Sequence, residues 1–169
     1  MNLLNKKGIV VRNLPRHDHA TLRLFAAAGV ATLHEAFERQ GLMNPAIRPI
    51  QQEVSRAGNA VTVLVTPGDN WMFHVAVEQC LPGDILVVAP TSPCGDGFFG
   101  DLLATSLQSR GVVGLVGDIG IRDSQTLREM GFAVWSRQVY AQGTVKETLG
   151  KCAGDLRRPT GQPRRCGRC

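Results

Sequence analysis

Residues 85–117 read ILVVAPTSPCGDGFFGDLLATSLQSRGVVGLVG. The opening ILVVA (85–89) is almost wholly apolar with no polar alternation, the composition of a strand covered on both faces. It is launched by the turn Leu81-Pro82-Gly83-Asp84. A glycine-rich loop follows, then DLLATSLQSR (101–110), which reads as a helix, and VVGLVG (112–117), which reads as a second buried strand. Strand, helix and strand at this spacing make a β-α-β unit, whose two strands run parallel with the helix packed across them.

The same alternation extends in both directions. Upstream, AVTVLV (60–65) is a short β-branched strand, Pro67-Gly68-Asp69 a turn, and NWMFHVAVEQC (70–80) a helix with Asn70 as its cap. Downstream, SQTLREM (124–130) reads as helix and FAVWSRQVY (132–140) as strand. In HATLRLFAAAGVATLHEAFERQ (19–40), Leu22, Phe25, Ala26, Val30, Leu33 and Phe37 recur at three- and four-residue intervals. That segment is one helix, or two broken at Gly29, with Asp18 as cap. The expected fold class is α/β: a sheet with a substantial parallel part, covered by helices. No internal repeat is visible.

With 169 residues, 43% of them apolar, the chain is of a size that folds as one domain with a real core. Its net charge of +5 is unevenly placed: residues 1–150 hold 13 Lys/Arg against 13 Asp/Glu, and residues 151–169 hold six against one. A neutral body gives no broad phosphate-gripping surface, so nucleic acid is not an expected partner. No apolar run suits a signal peptide or a membrane span, and a cytoplasmic protein without a membrane partner is expected. Cys80 and Cys94 lie in the body and Cys152, Cys166 and Cys169 in the tail, a distribution that holds no disulfide framework.

The chemistry concentrates in two loops. Gly95-Asp96-Gly97-Phe98-Phe99-Gly100-Asp101-Leu102-Leu103 joins a strand to a helix N-terminus, where free N–H groups suit a carboxylate or phosphate. One β-α unit later, Gly117-Asp118-Ile119-Gly120-Ile121-Arg122-Asp123 places a cation and a carboxylate at the same end of the sheet. Arg122 can hold a developing oxyanion, Asp123 can ligate Mg²⁺ or Mn²⁺, and Asp101 offers a second carboxylate. These roles fit carbon–carbon cleavage through an enolate, which needs a lysine Schiff base or a metal as electron sink. Lys6, Lys7, Lys146 and Lys151 all fall outside both loops, which favours a metal.

Other residues read as structural. Asp118 caps a turn and Asp96 is a solvated loop carboxylate. His17 and His19 stand at a helix entrance, while His34 and His74 lie within helices as packed or hydrogen-bonded structural residues. Trp71 and Trp135 are core or interface aromatics, and Cys94 is a small filler.

G-x-G-x-x-G-D-x-L at 95–103, Arg122-Asp123, and MGFAVWSRQVYAQGTVKETLG (130–150) together resemble the class II pyruvate aldolases that cleave 4-hydroxy-4-methyl-2-oxoglutarate and 4-carboxy-4-hydroxy-2-oxoadipate. That fold family also includes the RraA regulators of ribonuclease E. GVATLHEAFERQGLMNPAIRPI (29–50) and PGDILVV (82–88) extend the resemblance across nearly all of residues 20–150. It implies a layered α/β sandwich, assembled as a homotrimer or hexamer with the site between subunits. Asp123 would coordinate Mg²⁺ or Mn²⁺, and Arg122 would bind the pyruvyl oxygen and stabilise the enolate. The amides of Gly100, Asp101, Leu102 and Leu103 would hold the substrate carboxylate, and Asp101 would organise metal-bound water. Retro-aldol cleavage would give pyruvate and a 2-oxo acid, with oxaloacetate decarboxylation as a side activity. The alternative that the resemblance carries is a regulator inhibiting ribonuclease E by protein contact.

The sequence departs from that family in two places. Ser124, Gln125, Thr126 and Leu127 follow the Arg-Asp pair where relatives carry an acidic residue, and Glu129 comes late. After Gly150 the chain reads KCAGDLRRPTGQPRRCGRC, with one Leu, no Val, Ile or Phe, and five arginines, which predicts a basic, disordered tail with no strand or helix. The three tail cysteines lack a fourth zinc ligand. With suitable codons, GQPRRCGRC read one base later spells Val-Ser-Pro-Gly-Asp-Val-Val-Gly-Val, the turn-and-strand pattern of relatives. The expectation is an aldolase domain over 1–150, C-terminally incomplete and impaired in activity.

Overall fold

The computed structural model describes residues 8–147 and the backbone of residues 151 and 152. In chain order the elements are β1 (Ile9–Val10), α1 (His19–Ala28), α2 (Val30–Ala36), β2 (Arg48–Pro49), β3 (Asn59–Val65), α3 (Trp71–Val77), β4 (Asp84–Pro90), β5 (Gly97–Phe99), α4 (Asp101–Ser109), β6 (Gly114–Ile121), α5 (Ser124–Glu129), β7 (Ala133–Val139) and β8 (Lys151–Cys152). One mixed sheet runs in the order β1-β8-β3-β4-β6-β7-β2, with β5 branching from β6. Its centre, β3-β4-β6-β7, is parallel throughout, and antiparallel pairing occurs at β2·β7 and β3·β8. The expected α/β class with a mixed, partly parallel sheet is therefore what the chain adopts.

The pleat explains how the sheet is covered. The register places Val61 beside Leu86, Leu86 beside Leu115, and Leu115 beside Val134, so these four share one face. All are buried in one cluster with Met72, Phe73, Leu103, Leu107 and Leu127 from α3, α4 and α5. Phe99 lies at its centre, its ring 6.0 Å from both Phe73 and Phe132. Each such side chain contributes about 1.5–3 kcal/mol on burial. The opposite face carries Ile85, Val116 and Trp135, which with α2 and residues 40–48 line an open groove of about 1360 Å³. These central strands are thus sealed on one face only.

The segment 19–40 resolves to two helices. Gly29, at φ 79°, takes a conformation that other residues adopt only under strain, and the chain changes direction there. Asp18 caps α1 as expected, its Oδ1 accepting from the amides of Ala20 (2.8 Å) and Thr21 (2.9 Å). Asn70 holds the N-cap position of α3 as expected, but its side chain makes no capping bond. Asp69 supplies that bond, its Oδ1 accepting from Trp71 N at 2.8 Å, which leaves the Asn70 side chain for other work.

Two more expectations change. Gly97–Phe99, read as loop, is strand β5 beside β6, with Gly97 facing Gly120 and a Cβ at Gly97 colliding with the carbonyl oxygen of Tyr140. A side chain at Gly120 would collide with the carbonyl oxygen of Gly95. Residues 151 and 152, read as the start of a structureless tail, form β8 inside the sheet, between β1 and β3. Their backbone alone suffices for this, since ladder pairing uses N–H and C=O groups that every residue but proline carries in full. The frame-shift and cysteine readings of 153–169 lie outside the described residues.

Candidate active site

Three backbone segments meet where the parallel strands end. Arg122 N donates to Phe99 O (2.9 Å), Tyr140 N to Ile121 O (2.8 Å) and Gly97 N to Gln142 O (2.7 Å). The strap 143–147 is then pinned to the turn before α3: Val145 N donates to Gly68 O (2.8 Å) and Asn70 N to Val145 O (3.0 Å). Between them lies a pocket of about 90 Å³, lined by Asn70 and His74 of the α3 region, Gly97 and Phe98 of β5, Gly100 to Leu103 at the start of α4, Arg122 and Asp123 after β6, and Thr144 and Lys146 of the strap. All the residues singled out from sequence, Gly100, Asp101, Leu102, Leu103, Arg122 and Asp123, border this one pocket.

Asp123 has φ 55° and ψ 34°, a left-handed backbone that a non-glycine residue adopts at a cost. It stands at the N-terminus of α5, yet its side chain caps nothing there. Instead its Oδ2 reaches across to the start of α4 and accepts from Asp101 N at 3.3 Å. That reach needs Gly100, since a Cβ on residue 100 would occupy the position of Asp123 Oδ2. Arg122 is exposed, and among the described residues its guanidinium has neither an ion pair nor a hydrogen bond. A free guanidinium on a pocket wall is suited to an anionic ligand.

The amides expected to hold a carboxylate are partly engaged. Asp101 Oδ1 accepts from Leu102 N at 2.7 Å, and Asp123 accepts from Asp101 N. Carboxylate oxygens of the chain therefore already sit at the N-terminus of α4. A ligand carboxylate bound there must displace the Asp101 side chain from Leu102 N.

Several residues take different places from those read in sequence. Asp118 is not a turn cap but a member of β6, paired with Arg137 of β7 at 2.5 Å. His74, read as packed in a helix, is exposed on the pocket rim. The part of its ring that is withdrawn from water, then the charge of Lys146, hold it below the usual histidine range. Of the two places expected for Trp71, core or interface, its 41% exposure removes the first. Asp96 is half-buried rather than solvated. Cys94 is buried as expected of a filler, and that burial pushes its thiol up. Lys146, distant from both loops in sequence, also reaches the pocket, because the strap folds back along Gly68 to Asn70. No periodicity or spacing marks Asn70, His74, Thr144 or Lys146 as pocket residues; only long-range pairing brings them there.

An α/β sheet with a small charged pocket at the carboxyl ends of its parallel strands places the chain in the open-sheet class. Within that class, the chain belongs to the RraA-like family, whose Aldolase/RraA model matches residues 30–159. It is 25% identical over 126 residues to a protein of Halalkalibacterium halodurans named "Putative 4-hydroxy-4-methyl-2-oxoglutarate aldolase", a match covering 75% of this chain and 60% of that protein. The chain thus spans about 60% of the length of that relative. Among solved structures, it resembles RraAS2 of Streptomyces coelicolor, described as an unusual member of the RNase ES inhibitor RraA protein family. That pair has a TM-score of 0.65 and 26% identity, over 79% of this chain and 71% of the other. The RNA-processing inhibitor RraA of Thermus thermophilis matches in fold, at a TM-score of 0.64 and 20% identity, over 72% of this chain and 74% of that one.

Proposed function

We propose that the protein is a divalent-metal-dependent lyase that cleaves 4-hydroxy-4-methyl-2-oxoglutarate or 4-carboxy-4-hydroxy-2-oxoadipate to pyruvate and a 2-oxo acid, with oxaloacetate decarboxylation as a side activity. The carrying observation is the unpaired Arg122 guanidinium beside the Asp123 carboxylate, which reaches over Gly100 to the start of α4. The named aldolase relative supports the same reading.

The donor set suits Mg²⁺ or Mn²⁺. No group of three His, Cys, Asp or Glu side chains forms among the described residues, but Mg²⁺ is commonly held by one or two carboxylates, with water and ligand oxygens completing its shell. Asp123, with Asp101 beside it, would hold the ion, and Gly100 leaves the room that the Asp123 carboxylate needs. When bound, the metal supplies Lewis acidity at the 2-oxo group. Arg122 binds the 2-oxo oxygen and stabilises negative charge as the enolate forms. The first-turn amides of α4 take the ligand carboxylate once Asp101 swings off Leu102 N. Lys146 is exposed, whereas a Schiff-base lysine works from a desolvated setting, so an imine route is the weaker one.

Assembly with further copies of the chain fits the surface. Val30 is 75% exposed, Leu42 69% and Phe37 61%, all bordering the groove over the half-covered sheet. A coupled assay of pyruvate release, with Mg²⁺ and then with chelator, tests the function. Metal-dependent turnover lost in Asp123→Ala is the expected result. The second reading, a protein regulator inhibiting a ribonuclease by contact, is favoured by the likeness to RraAS2. It predicts ribonuclease inhibition with no pyruvate released.

A further inference from the structure

Asn70 is 7% exposed, and three of its four polar groups have partners. Its backbone N donates to Val145 O (3.0 Å), its backbone O accepts from Phe73 N (3.0 Å), and its side-chain Nδ2 donates to Phe98 O (3.1 Å). Oδ1 is buried with no hydrogen-bond partner. The amide cannot turn over to mend this, because a carbonyl such as Phe98 O can face only the NH₂ end. A buried acceptor left unmade costs free energy, and native structures keep such groups rarely and with a reason.

Asn70 borders the pocket of Arg122 and Asp123. Its position is fixed by Asp69, which is 2% exposed. Asp69 Oδ1 accepts from Trp71 N (2.8 Å) and Oδ2 from Glu147 N (2.6 Å), so a single carboxylate ties the start of α3 to the strap carrying Lys146. The missing partner of Asn70 Oδ1 must be a hydrogen donor. Arg122 and Lys146 on the same pocket favour an anionic ligand, and a hydroxyl on that ligand is the group that supplies the hydrogen.

We propose that Asn70 is the pocket's receptor for a ligand hydroxyl group, whose hydrogen bond Oδ1 accepts, and that buried Asp69 is the positioning residue that holds it there. The proposal rests on reading the pocket as a site for hydroxy-oxo acids. It adds the group that distinguishes a hydroxy acid from its deoxy counterpart. Asn70 accepts a hydrogen bond only; an amide oxygen is too weak a base to take the proton.

The test compares citramalate with methylsuccinate, dicarboxylates that differ by one hydroxyl and lack the 2-oxo group needed for cleavage. Calorimetric titration of the full chain in Mg²⁺ is expected to show citramalate bound about tenfold more tightly, the size of one satisfied buried hydrogen bond. In Asn70→Leu the ratio falls to about one, as expected when the acceptor is gone. Asn70→Ala replaces the leucine variant if circular dichroism shows the latter unfolded. A wild-type ratio near one, or a preference that survives the substitution, overturns the proposal, as does failure to bind either acid. Pyruvate release is measured separately, so that a hydroxyl preference without turnover removes the aldolase reading and leaves this one standing.

Discussion

The Asp123 carboxylate occupies the space that a side chain on Gly100 would fill, and its Oδ2 meets Asp101 N at 3.3 Å. Gly100 has φ −153°, extended backbone that any residue adopts, so its lack of a side chain serves this contact rather than a turn. Gly100→Ala should therefore fold with a melting temperature close to wild type while pushing Asp123 aside. Pyruvate release is expected to fall about 100-fold, the order of loss that a small misplacement of a reacting group brings. Retention of full turnover in a folded Gly100→Ala protein would refute the placement of Asp123.

Arg122→Lys tests whether a cation or a guanidinium is needed. Lysine keeps the charge but loses the planar fork that engages an oxo-acid in two directions. Loss of about 10²–10³ in kcat, the scale for removing an oxyanion donor, is expected in steady-state kinetics. A change confined to KM would make Arg122 a binding residue only.

Wholly buried Asp84 accepts from Arg16 Nε (2.9 Å), Arg16 Nη2 (2.8 Å) and Leu81 N (2.8 Å). The pair joins the segment before α1 to the start of β4, across 68 residues. Arg16→Ala strands a carboxylate in the interior and should destabilise by about 3–5 kcal/mol, read from urea unfolding. Replacing both partners with apolar residues is expected to cost less than removing Arg16 alone.

Partial withdrawal of its ring from water, and then the charge of Lys146, hold His74 below its ordinary range, so the folded protein favours the neutral ring. The unfolded chain therefore binds the proton first as pH falls through about 6.5. Stability from this group is complete above that pH, declines below it, and levels off once pH is under the folded value. Melting temperature measured from pH 7.5 to 4.5 should fall less steeply in His74→Gln than in wild type. Equal slopes would show that His74 does not contribute.

The parallel centre of the fold was legible because buried strands are continuous apolar runs and the intervening helices carry their own periodicity. ILVVA and DLLATSLQSR are placed to within a residue or two in β4 and α4. The short strands were not legible. Gly97–Phe99 has no strand pattern of its own, and β2 and β8 are two residues long and owe their existence to a neighbour's free edge. The site divides in the same way. Arg122 and Asp123 announce themselves by lying one β-α unit after a glycine-rich helix start, whereas Asn70, His74 and Lys146 arrive by long-range pairing of the strap 143–147. Asn70 suits the cap position and holds it, but the capping bond comes from Asp69, one residue earlier, whose carboxylate makes a charge-assisted contact that sequence alone does not reveal.

Among the described residues, β1 has a single strand partner, β8, and β8 in turn bridges to β3. A ribosome makes Ile9 and Val10 some 140 residues before Lys151 and Cys152. Of the described strands, the earliest synthesised is therefore the last able to join the sheet. Until residues 151 and 152 emerge, β3 keeps an unpaired edge, so the half-made chain is open to mispairing along that strand.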